Sequence, residues 1–236
     1  MKDRVYAEKQ TQLVDFAFDA GVASVFPDMI RRSVPGYELV VPMTGLMASR
    51  YLKEGGHAYD LGCSLGATTL AILSQLGDVD ARITAVDNAP AMLERAAAQL
   101  TDPRVTLMEA DVRDMAFAPA EVVISNWLLQ FVPEPQRLDV LRNVNGALPD
   151  DGVLLLSEKI RYEDEAVQGM FEDAHHDFKR ANGYSDLEVS QKRNALENVM
   201  VPDTEEVHRT RLAAAGFTRV TVWFRCLNWI SFIAQP

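Results

Sequence analysis

The stretch Ala58-Tyr59-Asp60-Leu61-Gly62-Cys63-Ser64-Leu65-Gly66-Ala67-Thr68-Thr69-Leu70 sets the tightest limit on how this chain can fold. It reads as a short apolar strand, a turn carrying two glycines and the first turns of a helix. Such a turn presents backbone N–H groups, and its glycines let a ligand approach the chain closely. In a sheet with helices on its faces, that is where a cofactor sits. The rest of the chain must then supply the sheet.

It does so by alternation. Apolar segments at 58–61, 81–87, 105–111, 121–126 and 153–158 read as five strands. Helical patterns lie between them: one over about 67–76, one burying Leu93, Ala97 and Leu100, and one marked by Leu138, Leu141, Val144 and Leu148. Asn88 is placed to cap the second of these, with Pro90 in its first turn. Strands apolar at consecutive positions, alternating with helices, predict a parallel sheet covered on both faces.

At the amino end, 1–24 reads as a polar entry followed by a short helix. Two prolines and a glycine argue against a continuous helix over 25–37, and 38–52 returns to helical spacing. After the fifth strand the rhythm changes. Residues 162–201 read as one or two helices rich in His, Arg, Lys and Asn. A helix over 203–215 and two strands at 219–225 and 227–234, an antiparallel edge pair, complete the chain.

With 236 residues, 48% of them hydrophobic, the chain is long enough for one domain. Its net charge of −11 disfavours a nucleic-acid backbone or an anionic membrane as direct partner. No apolar run reaches the roughly 20 residues of a membrane helix, and the start resembles no secretory signal. A cytoplasmic protein is the expectation. Two cysteines, Cys63 and Cys226, give no disulfide framework.

Ligands bind beyond the carboxyl ends of the strands in an open α/β sheet. Those ends carry Gly62-Cys63-Ser64, Asp87-Asn88, Asp111-Val112 and Asn126. Asp87 suits a ribose diol, since a carboxylate accepts from both hydroxyls, and Asp111 suits an exocyclic amine such as that of adenine. Taken singly, each acid is as readily a helix cap. As an ordered set at successive strand ends, they describe an adenosine pocket. The turn lacks the third glycine of a dinucleotide fingerprint and the lysine of a phosphate loop. S-adenosylmethionine therefore fits better than NAD or ATP.

Asp60-Leu61-Gly62-Cys63-Ser64-Leu65-Gly66 with Asp87-Asn88 and Asp111 resembles the Rossmann-like class I S-adenosylmethionine-dependent methyltransferase fold. More specific blocks lie outside it: Val25-Phe26-Pro27-Asp28-Met29-Ile30, Arg32-Ser33-Val34-Pro35-Gly36-Tyr37, His175-His176-Asp177-Phe178-Lys179-Arg180-Ala181-Asn182-Gly183-Tyr184-Ser185 and Ser190-Gln191-Lys192-Arg193. These resemble the carboxy-S-adenosyl-L-methionine synthase family, over nearly the whole chain.

The resemblance implies one domain over 1–236, with a helical cap over 1–52 and a helical insertion over 162–201. It also implies a mostly parallel seven-stranded sheet with an antiparallel edge strand. The implied activity converts S-adenosylmethionine and prephenate into carboxy-S-adenosylmethionine, phenylpyruvate and water. A separate tRNA carboxymethyltransferase then uses the product on a wobble uridine. Cofactor contacts are implied at Tyr37, Gly62, Cys63, Ser64, Asp87, Asn88, Asp111, Val112, Asn126 and Arg193, in a homodimer without a metal, with Arg193 acting either in its own subunit's site or in that of the partner subunit. Arg193 is the expected partner of the new carboxylate, because a guanidinium pairs with it through two hydrogen bonds. No protein base is assigned, because hydroxide expelled from prephenate can take the methyl proton. Arg31, Arg32, Lys179 and Arg180 are candidates for the prephenate carboxylates.

Two other functions share these features: an ordinary small-molecule methyltransferase, and a silent S-adenosylmethionine-binding subunit. Adjacent helical residues such as His175 and His176 point about 100° apart, which does not suit one metal. Cys63 has no obvious histidine partner nearby in sequence and reads as a small turn residue. The stripe Val167, Met170, Phe171, Ala174 and Phe178 reads as core or dimer packing.

Overall fold

Consecutive apolar positions build the sheet they predict. The computed structural model describes residues 2–7, 16–196 and 199–236. In it, β1 (His57–Leu61), β2 (Arg82–Asp87), β3 (Val105–Glu109), β4 (Val122–Asn126) and β5 (Val153–Lys159) are followed by β6 (Arg219–Cys226) and β7 (Trp229–Gln235). The seven strands lie in the order β3-β2-β1-β4-β5-β7-β6. The first five are mutually parallel. β7 enters between β5 and β6, antiparallel to both, so the β6–β7 hairpin makes the antiparallel margin of the sheet.

Side chains along β4 and β5 alternate between two cores. Val123, Leu154 and Leu156 pack with Leu141 and Val144 of α5 (Glu134–Ala147) and Leu212 of α8 (Glu205–Ala214). Val122, Ile124, Val153 and Leu155 pack with Ala48 of α2 (Tyr37–Ser49) and with Ile72 and Leu76 of α3 (Ala67–Leu76). This is the period-two geometry of strands covered on both faces.

Of two local expectations, the absence of a continuous helix over 25–37 holds, though the break falls after Pro27, and the cap at Asn88 is corrected. α1 (Ala20–Ser33) runs unbroken through Pro27. The proline removes one N–H, but Val22, Ala23, Val25 and Met29 bury one side of the helix in a cluster with Leu65, Met92 and Ala195. The break comes at Val34, which is extended (φ −112°, ψ 104°) ahead of Pro35, as a residue before proline prefers. Asn88 does not cap α4 (Pro90–Ala97); Ala89 holds that position, and the Ala89 amide is satisfied by Asp87. Part of the expected entry segment, 8–15, lies outside the described residues.

The insertion forms two helices, α6 (Glu165–Ala181) and α7 (Asp186–Leu196). The apolar stripe of α6 is not core: Met170 is 56% exposed and Phe171 stacks on Tyr162 at 4.9 Å. The buried residues of α6 are instead His175 and Lys179.

Polar contacts tie the insertion to the amino-terminal segment. The Tyr184 hydroxyl donates to the Asp3 carboxylate, and the Arg32 guanidinium lies 3.8 Å above the Tyr184 ring centroid. Arg32 also donates to Asn182 O at 2.7 Å and pairs with Asp28 at 3.0 Å. Among the described residues, no helix is long and apolar enough to cross a membrane.

Candidate active site

The carboxyl ends of the parallel strands, the start of α2 and the inner side of the insertion enclose a cavity of about 1150 Å³. Tyr37, Gly62, Cys63, Ser64, Asp87, Asn88, Asp111, Val112, Asn126 and Arg193 all line it.

The turn after β1 is shaped by left-handed backbone at Gly62 (φ 69°), Ser64 (φ 52°) and Gly66 (φ 84°). A Cβ at Gly66 would come within 2.6 Å of Leu100 Cδ1, and one at Gly62 within 3.1 Å of Leu128 Cδ1. Asp87 holds this turn: its carboxylate accepts from Ser64 N at 2.8 Å and Ala89 N at 2.9 Å. Burial raises its pKa, and the backbone donors oppose the rise. Asp87 is therefore both a structural acceptor and a cavity wall. Beneath the turn, Asp60 accepts from Thr69 Oγ1 at 2.7 Å, and its burial pushes the carboxyl up to about 6.

Cys63 packs with Ala85, Leu93, Ala96 and Leu100, and burial pushes its thiol pKa well up. That disfavours the thiolate. Asn126 donates through Nδ2 to Thr68 Oγ1 at 3.2 Å. Its buried Oδ1 has no partner among the described residues. An orphaned acceptor facing a cavity fits a donor carried by a ligand. Asp111 lines the cavity and also has a protein partner. Arg113 grips it through Nη2 at 2.6 Å and Nε at 2.8 Å, holding its carboxyl below the usual range.

Trp127, next after β4, adopts φ 59° and donates its N–H to Ser157 O at 2.6 Å. Its ring lies 5.4 Å from that of Tyr37, whose phenol burial pushes up to about 12. The segment after Trp127 is clamped from below. Fully buried Glu158 accepts from Leu129 N at 2.8 Å and Gln130 N at 2.9 Å, and burial pushes its carboxyl up to about 8.

The end of the cavity nearest the insertion is cationic. Arg31, Lys159, Arg161, Lys179, Lys192 and Arg193 all line the cavity. Lys192 donates to Ser33 Oγ at 2.8 Å, and burial lowers its pKa to about 8. Burial, then the charges of Lys159, Lys192 and Arg193, lowers Lys179 to about 7. His175 donates through Nε2 to Ser33 O at 2.7 Å, and burial holds its ring down to about 2. Arg193 is exposed on α7 and lines the same cavity.

Of the cations expected to face an anionic substrate, Arg31 and Lys179 line the cavity. Arg32 does not, because Asp28, Asn182 and Tyr184 hold it beneath the insertion. Arg180 points away and pairs with Asp177 and Asp186. Lys159 and Lys192 were not singled out from the sequence. His175 and Lys179, four residues apart on α6, share one helix face, and that spacing is the signal that finds them.

This sheet order, with a glycine turn after β1 and acids at the next strand ends, is that of a class I S-adenosylmethionine-dependent methyltransferase fold. Residues 58–152 match the model of a methyltransferase domain. Human N-acetylserotonin methyltransferase, solved with S-adenosylmethionine, superposes with a TM-score of 0.58 at 15% identity, over 92% of this chain and 55% of that one. The CurJ carbon methyltransferase gives 0.66 at 15% identity, over 92% and 61%. The present chain thus spans about half to three-fifths of their lengths, and the likeness shows the fold.

Much nearer in sequence are two curated carboxy-S-adenosyl-L-methionine synthases. That of Trichlorobacter lovleyi is 48% identical, over 98% of this chain and 97% of the relative. That of Aeromonas salmonicida is 49% identical, over 99% and 96%. The chain belongs to the carboxy-S-adenosyl-L-methionine synthase family.

Proposed function

We propose that this protein converts S-adenosylmethionine and prephenate into carboxy-S-adenosylmethionine, phenylpyruvate and water. The supporting observation is the excess of cations on one side of the cavity, where they outnumber Glu172. Asp87 and Asp111 stand at the β2–β3 side, and Lys159, Lys179, Lys192 and Arg193 stand at the β5 and insertion side. The first end suits the hydroxyls and base of an adenosine, and the second suits a dianion. A neutral methyl acceptor needs no such cluster.

The atoms balance without consuming a protein group. Prephenate loses carbon dioxide and its ring hydroxyl and becomes phenylpyruvate. The S-methyl carbon gives up a proton and forms a carbon–carbon bond to the carbon dioxide. The proton and the hydroxyl leave together as water. The chain's contribution is to hold the two reactants in one enclosure and keep bulk water from them.

Asp87 receives the ribose diol on lone pairs left by its two amide donors. Asn126 Oδ1 accepts from the ligand, and Gly62, Cys63 and Ser64 pass beside it with their backbone. Asn88, Asp111 and Val112 border the base, Tyr37 covers it, and Arg193 pairs with the new carboxylate. The protein works as a homodimer in the cytoplasm and hands its product to a separate tRNA carboxymethyltransferase. Its charge of −11 accords with small substrates and no direct contact with tRNA.

Incubation of the purified protein with both substrates tests this. The expected result is phenylpyruvate in solution and, after denaturation, a released ligand heavier than S-adenosylmethionine by one carbon dioxide. Release of only the demethylated cofactor would make the protein an ordinary methyltransferase.

A further inference from the structure

Two cations in this cavity are in ion-pair contact with no carboxylate among the described residues. Lys179 is only 8% exposed, and Lys159, at the end of β5, is half-buried. Neither forms an ion pair or a side-chain hydrogen bond among the described residues. The charges acting on Lys179 come from Lys159, Lys192 and Arg193, all positive. Glu172 acts on Lys159 through space, with its Oε1 held by Gln168 at 2.6 Å. His175, against the same wall, is neutral and adds no further positive charge.

A buried ammonium without a partner is costly to the fold. A costly arrangement that opens into a cavity is one that a ligand completes. Lys192 does not share this condition, because its ammonium is bonded to Ser33 and lies 5.4 Å from the Tyr184 ring centroid.

We propose that Lys159 and Lys179 together hold a carboxylate of the second, dianionic substrate at the inner end of the cavity. Arg193, exposed on α7, is left to meet the carboxylate that the product carries. This assignment rests on the function proposed above and adds its selectivity. The two lysines come from β5 and α6, so the site selects an acid that reaches the sheet and the insertion at once. Monoanionic analogues of the substrate lose one of its two anchors.

The test uses Lys179→Met and Lys159→Gln in the full-length protein, beside the parent. Both variants should raise KM for prephenate about tenfold or more, the value of one charged hydrogen bond. Affinity for S-adenosylmethionine should stay within about twofold, since no adenosine contact is altered. The melting temperature of Lys179→Met should hold or rise, because an unpaired buried charge is removed.

A parental KM for prephenate in both variants would overturn the assignment while leaving the proposed function standing. So would a Lys179→Met protein that fails to fold together with a Lys159→Gln protein that binds prephenate normally. A parent that releases no phenylpyruvate would overturn the proposed function and this assignment with it.

Discussion

His175 Nε2 donates to the Ser33 carbonyl at 2.7 Å, joining the insertion to the end of α1 across 142 positions of sequence. A carbonyl only accepts, so Nε2 carries a proton, and burial disfavours a second one on Nδ1.

That bond makes the fold sensitive to acid. The folded ring is held down to about 2, first by burial and then by the charges of Lys179 and Lys159. Burial also lowers His208, to about 4, and His57. A base with a depressed folded pKa binds its proton mainly in the unfolded chain, so stability falls as pH drops below about 6.5. Each such histidine contributes a slope of up to about 1.4 kcal/mol per pH unit. The melting temperature should fall between about pH 7 and 5. His175→Gln retains an N–H donor without a titrating nitrogen and should flatten the curve. Parallel curves for parent and variant would show that His175 does not govern the acid limb.

Glu158 offers a second test, through the loop that it clamps. Both its oxygens accept backbone N–H groups in a fully buried setting. In Glu158→Gln one oxygen becomes an amide nitrogen facing a backbone donor. The expected loss is about 1–3 kcal/mol in denaturant unfolding. Trp127 and Leu128 line the cavity just ahead of the clamped amides. S-adenosylmethionine binding by calorimetry should therefore weaken as well. Unchanged stability would mean that the loop is held by Arg137, which reaches Gln130 O at 3.3 Å.

The turn after β1 makes a sharper prediction. Gly62 has φ 69°, and an added Cβ would press on Leu128 at 3.1 Å. Gly62→Ala should cost about 1–2 kcal/mol from the left-handed backbone alone. If the turn holds the adenosine ligand, affinity for S-adenosylmethionine should fall by more than stability does. Calorimetric titration at a temperature where the variant is fully folded separates the two effects. Lower stability with parental affinity would remove Gly62 from the binding surface.

The sheet was legible because its strands expose apolar residues on both parities: Val122, Val123 and Ile124 serve two cores, as do Val153, Leu154 and Leu155. Gly62, Asp87 and Asn126 were legible by order, since parallel strands bring their carboxyl ends to one edge. The place of the break after α1 was not, because the penalty at Pro27 is local while the packing that outweighs it comes from Leu65, Met92 and Ala195. The cationic wall was legible only in part: Lys179 is among the expected cations, but Lys159 and Lys192 join it from two other elements. Lys179 faces the cavity while its neighbour Arg180 pairs with Asp177 and Asp186. Composition does not distinguish adjacent cations; their angle around the helix axis does.

Arg193 separates the chemistry from the scaffold. It is exposed, lines the cavity and makes no ion pair or hydrogen bond among the described residues, so its removal should leave the fold intact. A guanidinium that grips the new carboxylate through paired hydrogen bonds contributes about 1.5–3 kcal/mol, or roughly 10- to 100-fold in affinity. Arg193→Ala should therefore bind carboxy-S-adenosylmethionine that much more weakly while keeping parental affinity for S-adenosylmethionine, which lacks the carboxylate. Competition calorimetry with the two ligands on one preparation gives the ratio directly. Arg193→Lys should recover only part of it, because an ammonium supplies the charge without the planar fork. If both ligands weaken equally, Arg193 acts on the shared adenosyl or methionyl part, and the carboxylate is held elsewhere.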